Sequence, residues 1–126
     1  MADRRLVDYN IGRLRDRSAQ VRLKSIAELR LLNDPAGWEA IAQLFQTEPE
    51  AEVKQAAREA LAVNYLPELN NPDPAVRLRT IQTLRTLGEL STMAALEQVY
   101  RTDQNLIVQQ AAQEAGRDIY LASKKR

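Results

Sequence analysis

The chain has 126 residues, of which 44% are hydrophobic, with 18 basic and 17 acidic side chains. It contains no cysteine and no histidine, which excludes disulfides, thiolate nucleophiles, cysteine-held metal clusters and histidine bases. The net charge is only +1 and no apolar run approaches the ~20 residues of a membrane span, so we expect a cytoplasmic single-domain protein over 1–126 without cofactor, metal or membrane contact.

The first predicted helix pair occupies the start of the chain. A short helix covers 6–14, where apolar residues recur at helical spacing. A longer helix begins behind Ser18, whose side chain can accept hydrogen bonds from the free amides of the first turn. The run Asn33-Asp34-Pro35 ends this helix.

The second predicted pair starts with a short apolar helix over 36–45. Its longer partner is capped by Thr47 or Glu48 and has Pro49 in its first turn, where a missing N–H costs nothing. The long helix follows with Val53 and Lys54; the small-residue face suited to close helix approach belongs to the fourth long helix, with Val108, Ala111, Ala112 and Ala115.

The third short helix is predicted to be truncated. Pro67 and Pro72 flank the only segment available for it, and proline discourages a longer helix there. The next long helix begins at Asp73-Pro74, an N-cap followed by proline at the first helical position, and ends at Gly88.

The fourth predicted pair consists of a short helix over 91–100 and a long helix capped by Asn105. No stretch of the chain alternates polar and apolar residues between turn dipeptides, as a strand would. The whole chain is therefore predicted to be helical.

The chain contains an internal repeat, because 16–70 aligns with 71–125 without a gap. Of the 55 pairs formed by these two segments, we count 18 identities. We call the shift that carries position 16 onto position 71 the repeat offset. Self-similarity at a fixed period is typical of repeat architectures. Each copy contains two helix pairs, so we expect four repeats at about 3–33, 35–64, 65–88 and 90–122.

The turn before each long helix resembles that of the HEAT repeat. The resemblance is strong for Asp16, Val21 and Arg22 and for Asn71, Asp73, Val76 and Arg77. It is weaker for Glu48, Val53 and Lys54 and for Asp103, Val108 and Gln109, where the basic residue is reduced or absent. The similarity is greatest to the short HEAT-like repeats of the phycobilisome-lyase type. It implies an all-α fold, a right-handed α-α superhelix of about four helical hairpins, with the helices that start near Ser18, Glu50, Asp73 and Asn105 forming its inner row.

Basic residues recur at matched positions and suggest a surface for a partner. The candidate interaction surface consists of nine residues: Arg22, Lys24, Glu28, Trp38, Lys54, Arg58, Arg77, Arg79 and Thr83. The alternative for Arg22 and Arg77 is that they pair with turn acids such as Asp16 and Asp73 and only hold the repeat spacing. Interleaved acids indicate a mixed charged face and not a phosphate track.

Two further features have a structural and a functional interpretation. Trp38 suits an interface anchor, but its apolar neighbours favour a place on the buried side of a short helix. Glu48, Glu50 and Glu52 lack the spacing and the glycine of a calcium loop, so we interpret them as solvated acids near a helix N-terminus, where the dipole favours them.

The sequence favours a non-enzymatic protein–protein interaction scaffold, because short helical solenoids offer extended rigid surfaces. The first alternative is a subunit or relative of bilin lyases, which rests on the resemblance alone. A less favoured alternative is a nucleic-acid-binding module. HEAT-like hydroxylases that hold iron through histidine are excluded because the chain has none. Dimerisation through a terminal repeat is also a possibility.

Overall fold

The structure is a computed structural model that describes residues 3–126. Within that range it contains helices and no strand, which confirms the expected all-α fold. The α-helices are α1 Arg4–Arg13, α2 Ala19–Leu32, α3 Pro35–Thr47, α4 Ala51–Tyr65, α5 Pro74–Leu87, α6 Met93–Thr102 and α7 Leu106–Ser123. Two 3-10 helices, Leu66–Asn70 and Leu90–Thr92, precede α5 and α6.

The predicted N-caps are confirmed at three of the long helices. The side chains of Ser18, Asp73 and Asn105 each accept a hydrogen bond from an amide in the first turn of α2, α5 and α7. Each cap residue has an extended backbone, the conformation from which a short polar side chain reaches those amides. These helices therefore begin where local cap chemistry places them.

The start of α4 differs from the prediction. Neither Thr47 nor Glu48 stands next to the first helical residue, because α4 begins at Ala51. The Glu48 carboxylate instead accepts from the Glu50 amide at 3.0 Å, just ahead of the helix. Glu48 thus orders the turn that leads into α4.

Backbone contacts gather into two compact units, Met1–Leu61 and Ala62–Arg126, with α4 passing from the first unit into the second. In the first unit α1 packs on α2 and α3, and α2 packs on α3. The core of this unit consists of fully or almost fully buried apolar side chains, Val7, Ile26, Leu29, Ile41, Val53 and Ala57.

In the second unit α7 packs on α5 and α6, and the 3-10 helix Leu66–Asn70 packs on α5. The buried apolar side chains of this unit are Ala62, Leu69, Ile81, Leu84, Leu87, Leu96, Val99, Val108, Ala112, Ala115 and Ile119. The truncated third short helix of the prediction is this 3-10 helix of five residues.

The repeat offset seen in the sequence recurs in the elements. Applied to both ends of α2, it gives the two ends of α5, and applied to the start of α4, it gives the start of α7. Buried pairs follow the same offset, with Ile26 and Ile81 at 2% and 0% exposure and Leu29 and Leu84 both at 0%. Equivalent positions therefore have equivalent roles in the two units.

The helices α2 and α5 end in the same backbone conformation, although the residue type at the end differs. Asn33 has φ 52° and Gly88 has φ 74°, so both lie in the left-handed region that closes a helix. Each donates its N–H to the carbonyl of a leucine one turn earlier. Asparagine and glycine are the residues that adopt this conformation most readily.

Candidate interaction surface

Arg22 lies at the centre of a hydrogen-bonded clasp in the first unit. Its Nε and Nη2 donate to the two carboxylate oxygens of Glu48 at 2.8 and 2.9 Å. Its Nη1 donates to the carbonyl oxygens of Asp16 and Arg17 at 2.8 and 3.1 Å. The planar guanidinium thus joins the turn before α2 to the turn before α4 through four bonds of suitable geometry.

The second unit contains the same clasp at the repeat offset. Arg77 donates to the Asp103 carboxylate at 2.7 and 3.0 Å and to the carbonyl oxygens of Asn71 and Pro72 at 2.9 and 3.1 Å. We call these two sets of residues the Arg22 clasp and the Arg77 clasp. Their atom-by-atom agreement shows that the sequence repeat encodes a repeated tertiary contact.

The acids of both clasps differ from those predicted. The Asp16 carboxylate accepts from the Ser18 amide and the Asp73 carboxylate from the Ala75 amide, so each serves its own turn. The arginines pair instead with Glu48 and Asp103, which lie in the turns before the next long helices. The available sequence signal was that these two acids match at the repeat offset and that each precedes a buried valine, Val53 or Val108.

Glu48 is not the solvated acid that its sequence suggested, because its side chain is only 1% exposed. Burial alone would raise the pKa of its carboxyl group. The hydrogen bonds from Arg22 and the Glu50 amide, together with the Arg22 charge, outweigh burial and leave this pKa below its usual value. Glu48 therefore stays ionised inside the protein.

Asp103 has the same electrostatic character in the second unit. The hydrogen bond from Arg77 is the largest influence, and it lowers the pKa of Asp103 although partial burial opposes it. The reciprocal hydrogen bonds raise the pKa of both arginines. Both clasps are thus ion pairs between side chains that are largely buried.

Two predicted cations, Lys54 and Arg58, lie one turn apart on α4 and share an aromatic partner. The Lys54 ammonium and the Arg58 guanidinium each lie 5.2 Å from the centre of the Phe45 ring, within the range of a cation–π interaction. Arg58 is only 8% exposed, so it contributes packing more than surface charge.

The predicted residues Arg79 and Thr83 come together on α5. They line a small depression of about 200 Å³ with Tyr65 and Glu68, and the Thr83 hydroxyl donates to the Arg79 carbonyl oxygen at 3.0 Å. Arg79 is exposed. This depression holds a cation, an acid and an aromatic ring on one face of the second unit.

The positions equivalent to Arg79 and Thr83 are Lys24 and Glu28, which are both exposed on α2. The basic position is retained between the units, while the position one turn further changes from an acid to a threonine. Both units therefore carry an exposed basic side chain at this position, and the residue one turn further along the helix differs between them.

Trp38 has a defined place in the first unit. Its indole Nε1 donates to the Asn33 side chain at 2.8 Å, which fixes the left-handed residue that ends α2. The residue is only partly buried. The bond gives Trp38 a local structural role, and its use as a partner anchor stays a prediction.

Several large apolar side chains that the sequence reasoning did not single out are exposed. In the first turn of α7, Leu106 and Ile107 are 77% and 68% exposed, whereas the equivalent residues of α4 are Ala51 and Glu52. Comparison of the two copies was the sequence signal that could have identified them.

The part of the chain from 3 to 126 has no helix that is both long and apolar enough to cross a membrane. In the same residues there is no group of three or more acidic side chains placed to hold a metal ion. Comparison of the chain with family models, with curated proteins and with solved structures found no match. The resemblance to HEAT repeats therefore stays a prediction.

Proposed function

We propose that this protein is a non-enzymatic interaction scaffold of the HEAT-like class that binds another protein through its exposed helix faces. The proposal rests on a difference between framework positions and surface positions of the two units. Residues that build the framework are the same or similar in both units, as in the Arg22 and Arg77 clasps. Surface residues at some equivalent positions differ, as in the exposed Glu28 and the half-buried Thr83, while at others they keep their character, as in the exposed Lys24 and Arg79. Repeat proteins bind partners in this way, by varying surface positions on a fixed frame.

The matched cations Lys24 and Arg79 offer the most direct test. We expect the full-length chain, immobilised and exposed to a lysate of its native host, to capture a protein saturably. The double variant Lys24→Glu and Arg79→Glu should weaken that capture about tenfold if the basic positions contact the partner. Gln82→Glu, also exposed on α5, adds an acid outside the matched positions and serves as the control.

Two additional measurements address the alternatives. Titration with biliverdin, followed by absorbance, tests a relation to bilin lyases, and titration with a labelled oligonucleotide at low and moderate salt tests nucleic-acid binding. Saturable binding of either probe, with no protein captured, would overturn the scaffold proposal.

A further inference from the structure

The helix α7 has a continuous exposed face opposite the side that packs on α5 and α6. Exposed residues recur along it at spacings of three and four, so they share one side of the helix. At a rise of 1.5 Å per residue, this side extends for about 22 Å from Leu106 to Leu121. We call it the α7 face; the exposed residues of it that matter here are Leu106, Ile107, Gln110, Arg117, Tyr120 and Leu121.

The α7 face is apolar at both ends and polar in the middle. Leu106 and Ile107 form an exposed apolar pair in the first turn of the helix. Tyr120 and Leu121, which are 45% and 52% exposed, form a second apolar pair near its end. Single exposed apolar residues are normal on a protein surface, but two adjacent pairs on one helix face indicate contact with another molecule.

The equivalent positions in the first copy of the repeat are mostly covered. At the repeat offset, the middle and the end of the α7 face correspond to Arg58, Ala62, Tyr65 and Leu66. Arg58 and Ala62 are buried, and Tyr65 and Leu66 are half-buried. The first turn of α4 is exposed, and its residues there are small or acidic, not large and apolar. The repeat thus has a largely covered face on α4 and an open one on α7.

The residues of the α7 face are arranged symmetrically about its midpoint, which lies between Gln113 and Glu114. Each apolar pair lies roughly 11 Å from this midpoint along the helix axis. A face with this symmetry matches itself when a second copy of the helix lies against it in the opposite direction. The residues that are equally distant from the midpoint are Leu106 and Leu121, Ile107 and Tyr120, and Gln110 and Arg117.

An antiparallel pair of α7 helices about this midpoint brings like surfaces together. At each end, the apolar first turn of one copy lies on the Tyr120 and Leu121 side chains of the other. In the middle, the Glu114 side chain of one copy and the Arg117 side chain of the other are separated by about 6 Å along the helix axis, a distance that a long arginine side chain can span. The two-fold axis produces this pairing of opposite charges twice.

We infer that the protein forms a two-fold symmetric dimer in which the α7 faces of two copies pack antiparallel. The dimer goes beyond the proposed scaffold function and does not depend on it. Its contact consists of one helix from each copy, which places it at the small end of protein interfaces. We therefore expect a dissociation constant in the micromolar range.

Sedimentation equilibrium of the full-length chain at about 5 to about 500 µM measures this constant, because the range brackets micromolar affinity. The double variant Leu106→Ala and Ile107→Glu gives α7 the first-turn residues of α4. An acid in the first turn favours a helix, so the variant should fold, and it should weaken the dimer at least tenfold because apolar contacts are lost at both ends. Leu31→Glu, at an exposed apolar position of α2, is the control and should leave the dimer unchanged.

Disulfide formation tests the antiparallel arrangement, because the natural chain has no cysteine. In the proposed dimer, Gln110 of one copy faces Arg117 of the other. An equimolar mixture of the variants Gln110→Cys and Arg117→Cys should therefore form a mixed disulfide under mild oxidation. Each variant alone should not, because its two equivalent positions are roughly 10 Å apart along the axis and a disulfide needs Cα atoms within about 7 Å.

The contrary results are distinct. A chain that remains monomeric at about 500 µM overturns the dimer, and a dimer that the double variant leaves intact contradicts the α7 face as its interface. Disulfides within each single variant but not in the mixture indicate a parallel pair, and oligomers larger than a dimer indicate head-to-tail contact; either result overturns the inference. If the double variant loses its helical circular dichroism, Leu121→Glu replaces it. Lysate capture tests the scaffold proposal separately, so either proposal can fail alone.

Discussion

The two units differ most in the segment that precedes α2 in the first unit and α5 in the second. In the first unit the ten-residue helix α1 comes before α2, and in the second the 3-10 helix Leu66–Asn70 comes before α5. The clasps, the left-handed helix ends and the buried leucines are nevertheless equivalent. The comparison teaches that the clasp and the core specify the repeat, while the helix that precedes α2 or α5 varies in length without disturbing them.

The largest expected effect tests whether the two cores are equivalent. Leu29→Ala and Leu84→Ala each remove a side chain that is 0% exposed, and each should lower the free energy of unfolding by about 2–5 kcal/mol. Denaturant unfolding followed by circular dichroism measures both. Leu31→Ala, at a position 81% exposed on α2, is the control and should change stability by less than ~0.5 kcal/mol. A loss below ~1 kcal/mol at only one of the two core sites would show that the cores are packed differently.

The next effect tests the two clasps. Glu48→Gln and Asp103→Asn keep the side-chain shape and one oxygen acceptor for each arginine, and the Arg22 and Arg77 side chains keep 11% and 16% exposure to water, so each variant should destabilise the protein by about 1–3 kcal/mol. Glu48→Gln should cost more, because the Glu48 side chain is 1% exposed and that of Asp103 is 7% exposed. Thermal unfolding compares the melting temperatures of both variants with that of Glu97→Gln. This third variant breaks an exposed pair with Arg101 and should change the melting temperature very little. Equal melting points for Glu48→Gln and Glu97→Gln would show that the Arg22 clasp contributes no stability.

The clasps also predict how stability depends on pH. Their carboxyl groups have pKa values lowered in the folded state, so the stabilisation is complete above the unfolded-state pKa and is lost as pH falls through the folded one. The free energy of unfolding should therefore decline below the ordinary pKa values of 4.5 for Glu48 and 3.8 for Asp103. The double variant Glu48→Gln and Asp103→Asn should show a flatter decline. If the free energy of unfolding of the double variant fell at acid pH as steeply as that of the wild type, this assignment would be contradicted.

The smallest effect concerns the two helix ends. Gly88→Ala places a Cβ at φ 74° and should cost about 1 kcal/mol, whereas Gly88→Asn, which copies Asn33, should cost less. Gly116→Ala is the control, because Gly116 lies inside α7 and a Cβ added there would meet no other atom within 4 Å, so it should stabilise by about 0.5–1 kcal/mol. Equal losses for alanine and asparagine at position 88 would argue that steric contact, and not backbone conformation, sets the preference.

Local chemistry made much of the fold predictable from the sequence. The caps Ser18, Asp73 and Asn105 and the stop at Gly88 depend on residues within one turn, so their pattern was sufficient. The cap of α4 was misplaced because Glu48 is engaged by Arg22, which is distant in sequence. Tertiary pairing of this kind leaves no local signal.

The candidate surface was less predictable for the same reason. Arg58 has the charge of a surface residue, yet its long apolar stem and its contact with Phe45 bury it. The groove of about 880 Å³ between α6 and the 3-10 helix Leu66–Asn70 depends on the path that the backbone takes through that 3-10 helix. The sequence showed that the segment before α5 is too short for a full helix. It could not show which side chains would line the groove that this short segment leaves open.

The short span of each clasp has a consequence for synthesis on the ribosome. All atoms of the Arg22 clasp lie between Asp16 and Glu48, whereas the Arg77 clasp is incomplete until Asp103 has been added to the chain. At ~5–20 residues per second, translation from Glu48 to Asp103 takes roughly 3–11 s, far longer than helix formation or collapse. A nascent chain can therefore close its first ion pair while the second acceptor has yet to be translated.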